Sequence, residues 1–296
     1  MYTVIDGGTT NTRFYTVDRS RVTLCAHAGV DAGVGAGDPA GLAAFVRATL
    51  ATLPTDAPVI ASGMITSPTG LYALPHLRAP VGIDELHRGM QRVLLPEISP
   101  QPLYFIPGVR TDEDMMRGEE TELAGLTRRL SPDAAYILPG THSKCILVNG
   151  EGKIHNLCTM LTGELLAAVK NGTIVGQSFA FCEEFIEEFL CQGFAYCRRY
   201  GINQALFRCR TLALLHRRTP QEVYSFCLGA VLCSEVERIR QVPVRRLYVG
   251  GKRELRLPEA LLLQRYSGKE VCCLPETTCV NAVPNGAVRI FTGGAD

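Results

Sequence analysis

Two segments of the chain share one pattern, in which a buried strand ends at a glycine and threonine turn and then continues into a hairpin. The first is the strand at residues 2–5 with the turn that begins at Asp6, and the second is the strand at residues 134–138 with the turn that begins at Pro139. Around them the order strand, strand, strand, helix, strand occurs twice in degenerate form. This pattern predicts two related α/β halves, and ligands favour the cleft between such halves.

The length and the composition agree with two globular domains of a neutral protein. The chain has 296 residues, and roughly 150 residues form one domain. Hydrophobic residues make up 46% and charged residues 20%, which excludes a disordered chain. The net charge is +1, from 30 basic and 29 acidic residues, and it provides no overall attraction to nucleic acid or to an anionic membrane. Because no apolar stretch reaches the ~18 residues of a membrane span, we expect neither partner.

Twelve cysteines and no tryptophan make the composition unusual. The cysteine positions include no C-x2-C pair of the kind that zinc sites use, and no signal peptide precedes the first strand. Five cysteines lie among apolar residues in helix-like stretches: Cys182, Cys191, Cys209, Cys227 and Cys233. We therefore expect reduced thiols packed in a core, and a cytoplasmic location.

The first turn, residues 6–13, has the sequence DGGTTNTR. Glycines let the backbone approach an anion closely, and hydroxyl and backbone N–H groups can surround phosphate oxygens. Asp6 at the end of the strand can hold Mg²⁺, mostly through water. The alternative is an ordinary hairpin turn, which needs no run of threonine and asparagine, so the sequence favours a phosphate-binding loop.

Two further glycine turns follow buried strands, at residues 139–144 (PGTHSK) and 249–252 (VGGK). Each is weak evidence by itself, since Pro-Gly and Gly-Gly are common in turns. When the turn at 139–144 is considered together with the first loop, the two suit a polyphosphate that is bound from both sides. No G-x-G-x-x-G or G-x-x-x-x-G-K-[ST] sequence occurs, which argues against a Rossmann dinucleotide site and a P-loop.

An acidic segment at residues 112–122, DEDMMRGEETE, begins a predicted helix. Its glutamates can satisfy the free N–H groups of the first turn and complement the helix dipole. They can also supply a general base, because phosphoryl transfer to an alcohol needs a positioned carboxylate to accept the hydroxyl proton. The two roles are compatible.

In this order and spacing, the three loops resemble those of the actin/sugar kinase/Hsp70 superfamily, and the chain resembles the 2-dehydro-3-deoxygalactonokinase family. The closer resemblance rests on GMI at 63–65, PGVRT at 107–111, MRGEET at 116–121, LPGTHSK at 138–144 and TMLTGEL at 159–165. It implies an α/β, two-domain actin-like ATPase (ribonuclease H-like) fold with an interdomain nucleotide cleft. The implied domains are 1–110 and 111–280, and a C-terminal helix at about 281–296 would pack back on the first.

The resemblance also implies a reaction, in which ATP with Mg²⁺ phosphorylates the C6 hydroxyl of 2-dehydro-3-deoxy-D-galactonate during galactonate degradation. Glu120, which directly precedes Thr121, would be the general base, with Glu119 as the alternative. The residues implied to bind the nucleotide and its metal are Asp6 (Mg²⁺), Gly8, Thr9, Thr10, Asn11, Gly140, Thr141, His142, Ser143 and Lys144 (phosphates), and Gly250 and Gly251 (adenosine). Arg13, Arg110 or Lys144 would balance the substrate carboxylate or the transferred phosphate, and Arg13 is favoured for the phosphate. The residues implied to bind the sugar acid are Gly63, Met64, Ser67 and Arg110.

The chain departs from the family pattern at several positions. Leu71 and Cys145 stand where we expect tryptophan, Cys158 stands where we expect an aromatic residue, and a histidine is expected near Gly172. Two other functions are compatible with the loops: a phosphohydrolase of the exopolyphosphatase type, and a non-catalytic nucleotide-binding regulator. A regulator would need a basic DNA-binding module, which is not found before the first strand. The sequence favours no oligomeric state.

Overall fold

The computed structural model describes residues 1–8, 11–19, 21–28 and 37–294, and the chain forms two compact units. Unit 1 consists of Met1–Pro132, Leu147–Leu157 and Thr277–Asp296, and unit 2 consists of Asp133–Ile146 and Cys158–Glu276. Residues 111–132 therefore belong to unit 1, whereas a domain boundary is expected at residue 110 from the sequence.

The first part of the chain contains β1 (Tyr2–Gly7), β2 (Thr12–Asp18), β3 (Arg21–Ala28), α1 (Pro39–Leu50), β4 (Val59–Gly63), β5 (Leu77–Arg78), α2 (Ile83–Gly89), β6 (Gln91–Val93), β7 (Leu103–Phe105), β8 (Val109–Arg110), β9 (Met115–Met116) and α3 (Glu119–Leu126). The remainder contains β10 (Ala134–Leu138), β11 (Ser143–Val148), β12 (Ile154–Met160), α4 (Thr162–Gly172), α5 (Glu187–Tyr200), α6 (Ile202–Leu214), α7 (Pro220–Arg240), β13 (Arg246–Val249), α8 (Arg253–Tyr266), β14 (Glu270–Cys273), α9 (Glu276–Val280) and α10 (Ala282–Phe291). Short 3-10 helices lie at Met64–Thr66 and Ile174–Ser178.

The two large sheets have the same strand order, which confirms the predicted repeat. The first sheet is β3-β2-β1-β4-β7 with β6 added at its edge, and the second is β12-β11-β10-β13-β14. In the first sheet β1 pairs antiparallel with β2 and parallel with β4, and in the second β10 pairs parallel with β13. The glycine turns therefore follow the carboxyl ends of the strands, where open α/β sheets bind ligands.

Unit 1 has a core on each side of its large sheet. Ile5 and Phe14 are fully buried in a cluster that includes Leu42 of α1. On the other side α10 packs on β1 and β4, which bury Val4 and Ile60 completely, since side chains alternate between the two faces of a strand.

Helix α3 belongs to unit 1 because its backbone packs directly on α10. A Cβ on Gly125 would lie 1.8 Å from the carbonyl oxygen of Ala282, and a Cβ on Gly286 would lie 1.8 Å from that of Thr121. Only glycine permits such an approach. Arg289 of α10 also donates a hydrogen bond to the Ala124 carbonyl at 3.0 Å. This packing explains why the unit extends past residue 110.

Apolar spacing in the sequence predicts helices near 83–95, at 119–130 and at 182–196, and the structure corrects the bounds of each. The helix expected over 83–95 ends at Gly89, because Gln91–Val93 pairs antiparallel with β7. The helix expected over 119–130 ends at Leu126, and the one expected over 182–196 begins at Glu187. Helix α6 was not predicted.

All twelve cysteines are free thiols, and five of them are buried: Cys145, Cys197, Cys209, Cys227 and Cys233. Burial is the largest of the causes that raise the pKa of the Cys145 thiol. Cys182 and Cys191, expected in the core, are only half-buried. In the described part of the chain, no helix combines the length and the apolar character that crossing a membrane requires.

Candidate active site

Three glycines of unit 1 pack against one another where β1 and β4 end. Gly7 and Gly63 are partners in the parallel register, and a Cβ on Gly63, whose φ is +86°, would lie 2.6 Å from the carbonyl oxygen of Gly7. Gly118 has φ +113°, and its Cβ would lie 3.2 Å from the Cα of Gly63. These positions require glycine because side chains do not fit. The packing brings together the first loop, the turn after β4 and the start of α3.

Glu120 lies in the first turn of α3 and is 1% exposed. Both carboxylate oxygens accept the backbone N–H of Gly118, at 2.8 and 2.9 Å. Burial, and secondarily the charge of Glu119, raises the pKa of Glu120 from 4.5 to about 8. A carboxylate with a raised pKa is a stronger proton acceptor once it is ionised, as a general base requires.

Two buried hydroxyls, which no sequence motif indicates, support this carboxyl group. Ser62 of β4 donates a hydrogen bond to the Thr121 hydroxyl at 2.6 Å. The Thr121 hydroxyl in turn donates to Oε1 of Glu120 at 3.3 Å. These two hydrogen bonds fix the orientation of the Glu120 carboxyl group relative to the end of β4.

Arg117 connects the turn after β4 to the start of α3. Its guanidinium donates to the carbonyl and hydroxyl oxygens of Thr66, at 2.7 and 2.6 Å, and to the carbonyl of Leu74 at 2.9 Å. Its backbone N–H donates to Oε2 of Glu119 at 3.0 Å. No sequence signal indicates this role, although Arg117 lies inside the MRGEET motif at 116–121. Glu119, the alternative base, is half-buried.

The other residues predicted to bind the sugar acid lie around this connection. Met64 packs against the core cluster of unit 1, and Ser67 is 4% exposed. The Ser67 hydroxyl lies 3.1 Å from that of Thr69. Arg110 of β8 is exposed and donates to the Thr111 carbonyl at 3.4 Å.

The two ends of the first loop are paired with each other. Nη1 of Arg13 lies 3.3 Å from Oδ2 of Asp6. The Gly8 N–H donates to the Asn11 carbonyl at 2.8 Å. Thr9 and Thr10, predicted to contact phosphate, lie outside the described residues.

The second glycine loop, at residues 139–144, belongs to unit 2 and lies on the first turn of α4. The carbonyls of Gly140 and Thr141 accept the backbone N–H groups of Gly163 and Glu164, at 3.1 and 3.0 Å. A Cβ on Gly163 would lie 2.5 Å from the Gly140 oxygen. The side chains of His142 and Glu164 are joined by a hydrogen bond.

The third glycine turn, at residues 249–252, packs on the second loop. Gly250 donates its N–H to the Ile137 carbonyl at 2.8 Å. A Cβ on Gly251, which has φ +78°, would lie 2.7 Å from the Pro139 oxygen. Arg256 of α8, 2% exposed, donates to the Gly251 carbonyl at 3.1 Å. The structure thus brings the two predicted nucleotide loops of unit 2 into contact.

Glu235 and Glu259 form a buried acidic pair next to the second loop, and no sequence motif indicates this pair. Ser143 is fully buried and its hydroxyl accepts the Gly140 N–H at 3.4 Å. Glu235 of α7 accepts a hydrogen bond from the Thr162 hydroxyl and also interacts with Ser143. Burial raises the pKa of both Glu235 and Glu259. Lys144, predicted to contact phosphate, is 5% exposed.

Comparison with known proteins decides between the families that such loops allow. The chain matches the family model of 2-keto-3-deoxy-galactonokinase over residues 6–282. It belongs to this family of kinases. The finding confirms the resemblance that the sequence motifs indicate.

Individual relatives share a low sequence identity with this chain. A protein of Rhizobium meliloti (strain 1021), with the name 2-dehydro-3-deoxygalactonokinase DgoK1, is 25% identical over 191 residues. That match spans 62% of this chain and 61% of the relative. The crystal structure of a protein from Sinorhizobium meliloti that carries the same enzyme name has a TM-score of 0.78 at 20% identity, covering 98% of this chain and 95% of that one.

A further solved structure confirms the fold class alone. The activator of 2-hydroxyisocaproyl-CoA dehydratase from Clostridium difficile has a TM-score of 0.51 at 11% identity, covering 99% of this chain and 95% of that chain. Together with the strand order of the two sheets, these neighbours establish the actin-like, sugar-kinase type of α/β fold.

Proposed function

We propose that this chain transfers the γ-phosphoryl group of ATP to the C6 hydroxyl of 2-dehydro-3-deoxy-D-galactonate, as a step of galactonate degradation in the cytoplasm. The observation that carries the proposal is Glu120, a buried carboxyl group with a raised pKa beside the packed glycines of the first loop and the turn after β4. The family name supports the substrate. The free thiols support a reducing compartment.

The nucleotide is assigned to the three glycine loops. In unit 1 these are Gly8, Asn11 and the undescribed Thr9 and Thr10, with Arg13 on the transferred phosphate. In unit 2 they are the segment 140–144 and the pair Gly250 and Gly251. A Cβ on Gly140 would meet nothing closer than the His142 oxygen at 3.9 Å. The backbone there is open, which fits a loop that a phosphate approaches.

Magnesium fits the first loop by the chemistry of its donors. Asp6 offers carboxylate oxygens at the end of β1, and Mg²⁺ prefers oxygen ligands and keeps several waters. When bound, the ion would neutralise part of the phosphate charge. The pairing of Asp6 with Arg13 keeps that carboxylate oriented.

Glu120 performs the proton transfer in this proposal. The C6 oxygen forms a bond to the γ-phosphorus while its proton passes to a carboxylate oxygen of Glu120. The bond between the γ-phosphorus and the bridging oxygen breaks, and ADP leaves with the electron pair. The Gly118 N–H and the Thr121 hydroxyl hold the carboxylate in place during this step. Gly63, Met64, Ser67 and Arg110 are assigned to the sugar acid.

An ADP-coupled assay over a panel of 2-keto-3-deoxy sugar acids tests the proposal. We expect ADP release that depends on one sugar acid and is negligible without it. Release of phosphate from ATP or polyphosphate without sugar acid would instead identify a phosphohydrolase. Binding of ATP with neither reaction would identify a regulator.

Two matched variants test the assignment of the base. We expect Glu120→Gln to bind ATP normally and to lose turnover by about 100-fold or more, because a positioned base contributes about that much. Glu119→Gln should retain most of the turnover. The reverse result would transfer the role to Glu119, and unchanged turnover in both would refute a carboxylate base here.

A further inference from the structure

His76 lies beside the proposed sugar-acid residues, and no sequence motif singled it out. Nη2 of Arg117 lies 3.2 Å from Nδ1 of His76. The same guanidinium binds the Thr66 carbonyl, so His76 is held to the turn that carries Gly63. His76 is half-buried.

The contact with Arg117 determines which ring nitrogen carries the proton. A guanidinium only donates hydrogen bonds, so Nδ1 of His76 must accept, and a neutral imidazole then carries its proton on Nε2. Burial, and after it the charges of Arg117 and Arg110, lowers the pKa of His76 to about 4. The ring is therefore neutral at physiological pH. Within the described residues Nε2 has no hydrogen-bond partner, so its N–H is a free donor.

Arg110 presents a positive charge near this donor. Gly108 lies against the imidazole, since a Cβ there would be 2.7 Å from Cδ2 of His76. The charge of Arg110 is close enough to the imidazole to contribute to the lowered pKa of His76. Arg78, its partner in the parallel register, is paired with Asp112 at 2.7 Å. Among the described residues, Arg110 itself has no acidic partner.

A neutral N–H donor beside an arginine without a counter-ion is the chemistry that recognises a carboxylate. We propose that His76 and Arg110 form the subsite for the substrate's C1 carboxylate, and that Arg117 is the positioning residue that keeps Nε2 of His76 protonated. This inference rests on the proposed sugar-acid kinase function and specifies how the acid is distinguished from a neutral sugar.

Two substitutions of His76 separate recognition from structure. In His76→Asn, the amide oxygen can still accept the Arg117 hydrogen bond, but the outer donor is lost. In His76→Gln, the longer amide can supply a donor near the position of Nε2. We expect His76→Asn to raise the KM for the sugar acid by about 10- to 100-fold, the effect of losing a hydrogen bond to a charged group. The KM for ATP should stay within about twofold, and His76→Gln should recover part of the loss.

A neutral substrate analogue tests the charge of the subsite directly. The wild-type enzyme should prefer the sugar acid to its C1 carboxamide by at least about tenfold in kcat/KM, and Arg110→Gln should remove most of that preference. The controls are His155→Asn and Arg92→Gln, exposed side chains elsewhere on unit 1.

The outcomes separate this inference from the function on which it rests. If the wild-type enzyme phosphorylates no sugar acid in the panel, the proposed function fails and the subsite fails with it. If the wild-type enzyme is active, an unchanged KM in His76→Asn, or equal changes in the KM values for both substrates, overturns the subsite alone. Circular dichroism of each variant excludes misfolding as the cause.

Discussion

Replacing Glu120 by glutamine should change how the stability of the protein depends on pH. Glu120 is 1% exposed, and its pKa is raised from 4.5 to about 8. Because the folded state retains this proton at pH values where the unfolded chain has released it, the free energy of unfolding falls as the pH rises from about 4.5 to about 8. Glutamine does not ionise, so the variant lacks this fall.

The size of the effect follows from the same two values. Each tenfold change in an ionisation constant corresponds to about 1.4 kcal/mol, so the rise from 4.5 to about 8 corresponds to about 5 kcal/mol. Glutamine also replaces one of the two oxygens that accept the Gly118 N–H, at a cost of about 1–3 kcal/mol. That cost is independent of pH, whereas the ionisation effect is not.

Urea unfolding of both proteins between pH 5 and pH 9 measures the difference. Relative to wild type, Glu120→Gln should gain about 4 kcal/mol in stability across this range. Glu113→Gln, which changes an exposed side chain of the same acidic segment, should follow the wild-type curve. Parallel curves for wild type and Glu120→Gln would refute the conclusion that burial raises the pKa of this carboxyl group.

Three further predictions follow from the site. If ionised Glu120 is the base, kcat/KM should fall about tenfold per pH unit below about pH 8, and a flat profile from pH 6 to 9 would contradict this role. Gly163→Ala places a Cβ 2.5 Å from the Gly140 oxygen of the second loop and should raise the KM for ATP by about tenfold or more. Gly172→Ala on the same helix places a Cβ with no atom within 4 Å and should leave that KM unchanged. Gly63→Ala should lower the unfolding midpoint more than Gly268→Ala, because both positions have positive φ but only Gly63 has a neighbouring atom at 2.6 Å; equal losses would show that φ alone matters.

The strands and glycine turns could be predicted because their signals are local. Alternating apolar residues and tight turns define β1 to β3 within the first 28 residues, and the same local pattern predicts β10 to β12. The position of Glu120 at the start of α3 is also a local feature, set by the residues that adjoin it.

Much of the site depends instead on contacts between distant residues. Ser62 and Thr121 are 59 residues apart, and Arg117 and Thr66 are 51 apart. No spacing rule reports such pairs, so the support of Glu120 and the position of His76 were not predictable. The unpredicted helix α6 buries only Ala205, Cys209 and Leu212, a stripe too narrow to stand out as an amphipathic pattern.

The measurement that tests the account most directly is structural analysis of the reaction product by NMR. Wild-type protein would be incubated with ATP, Mg²⁺ and 2-dehydro-3-deoxy-D-galactonate, and ³¹P–¹³C and ³¹P–¹H couplings would locate the phosphoryl group. We expect a phosphate ester on C6 that forms in equal amount with ADP. Inorganic phosphate that forms at the same rate with or without the sugar acid would contradict it.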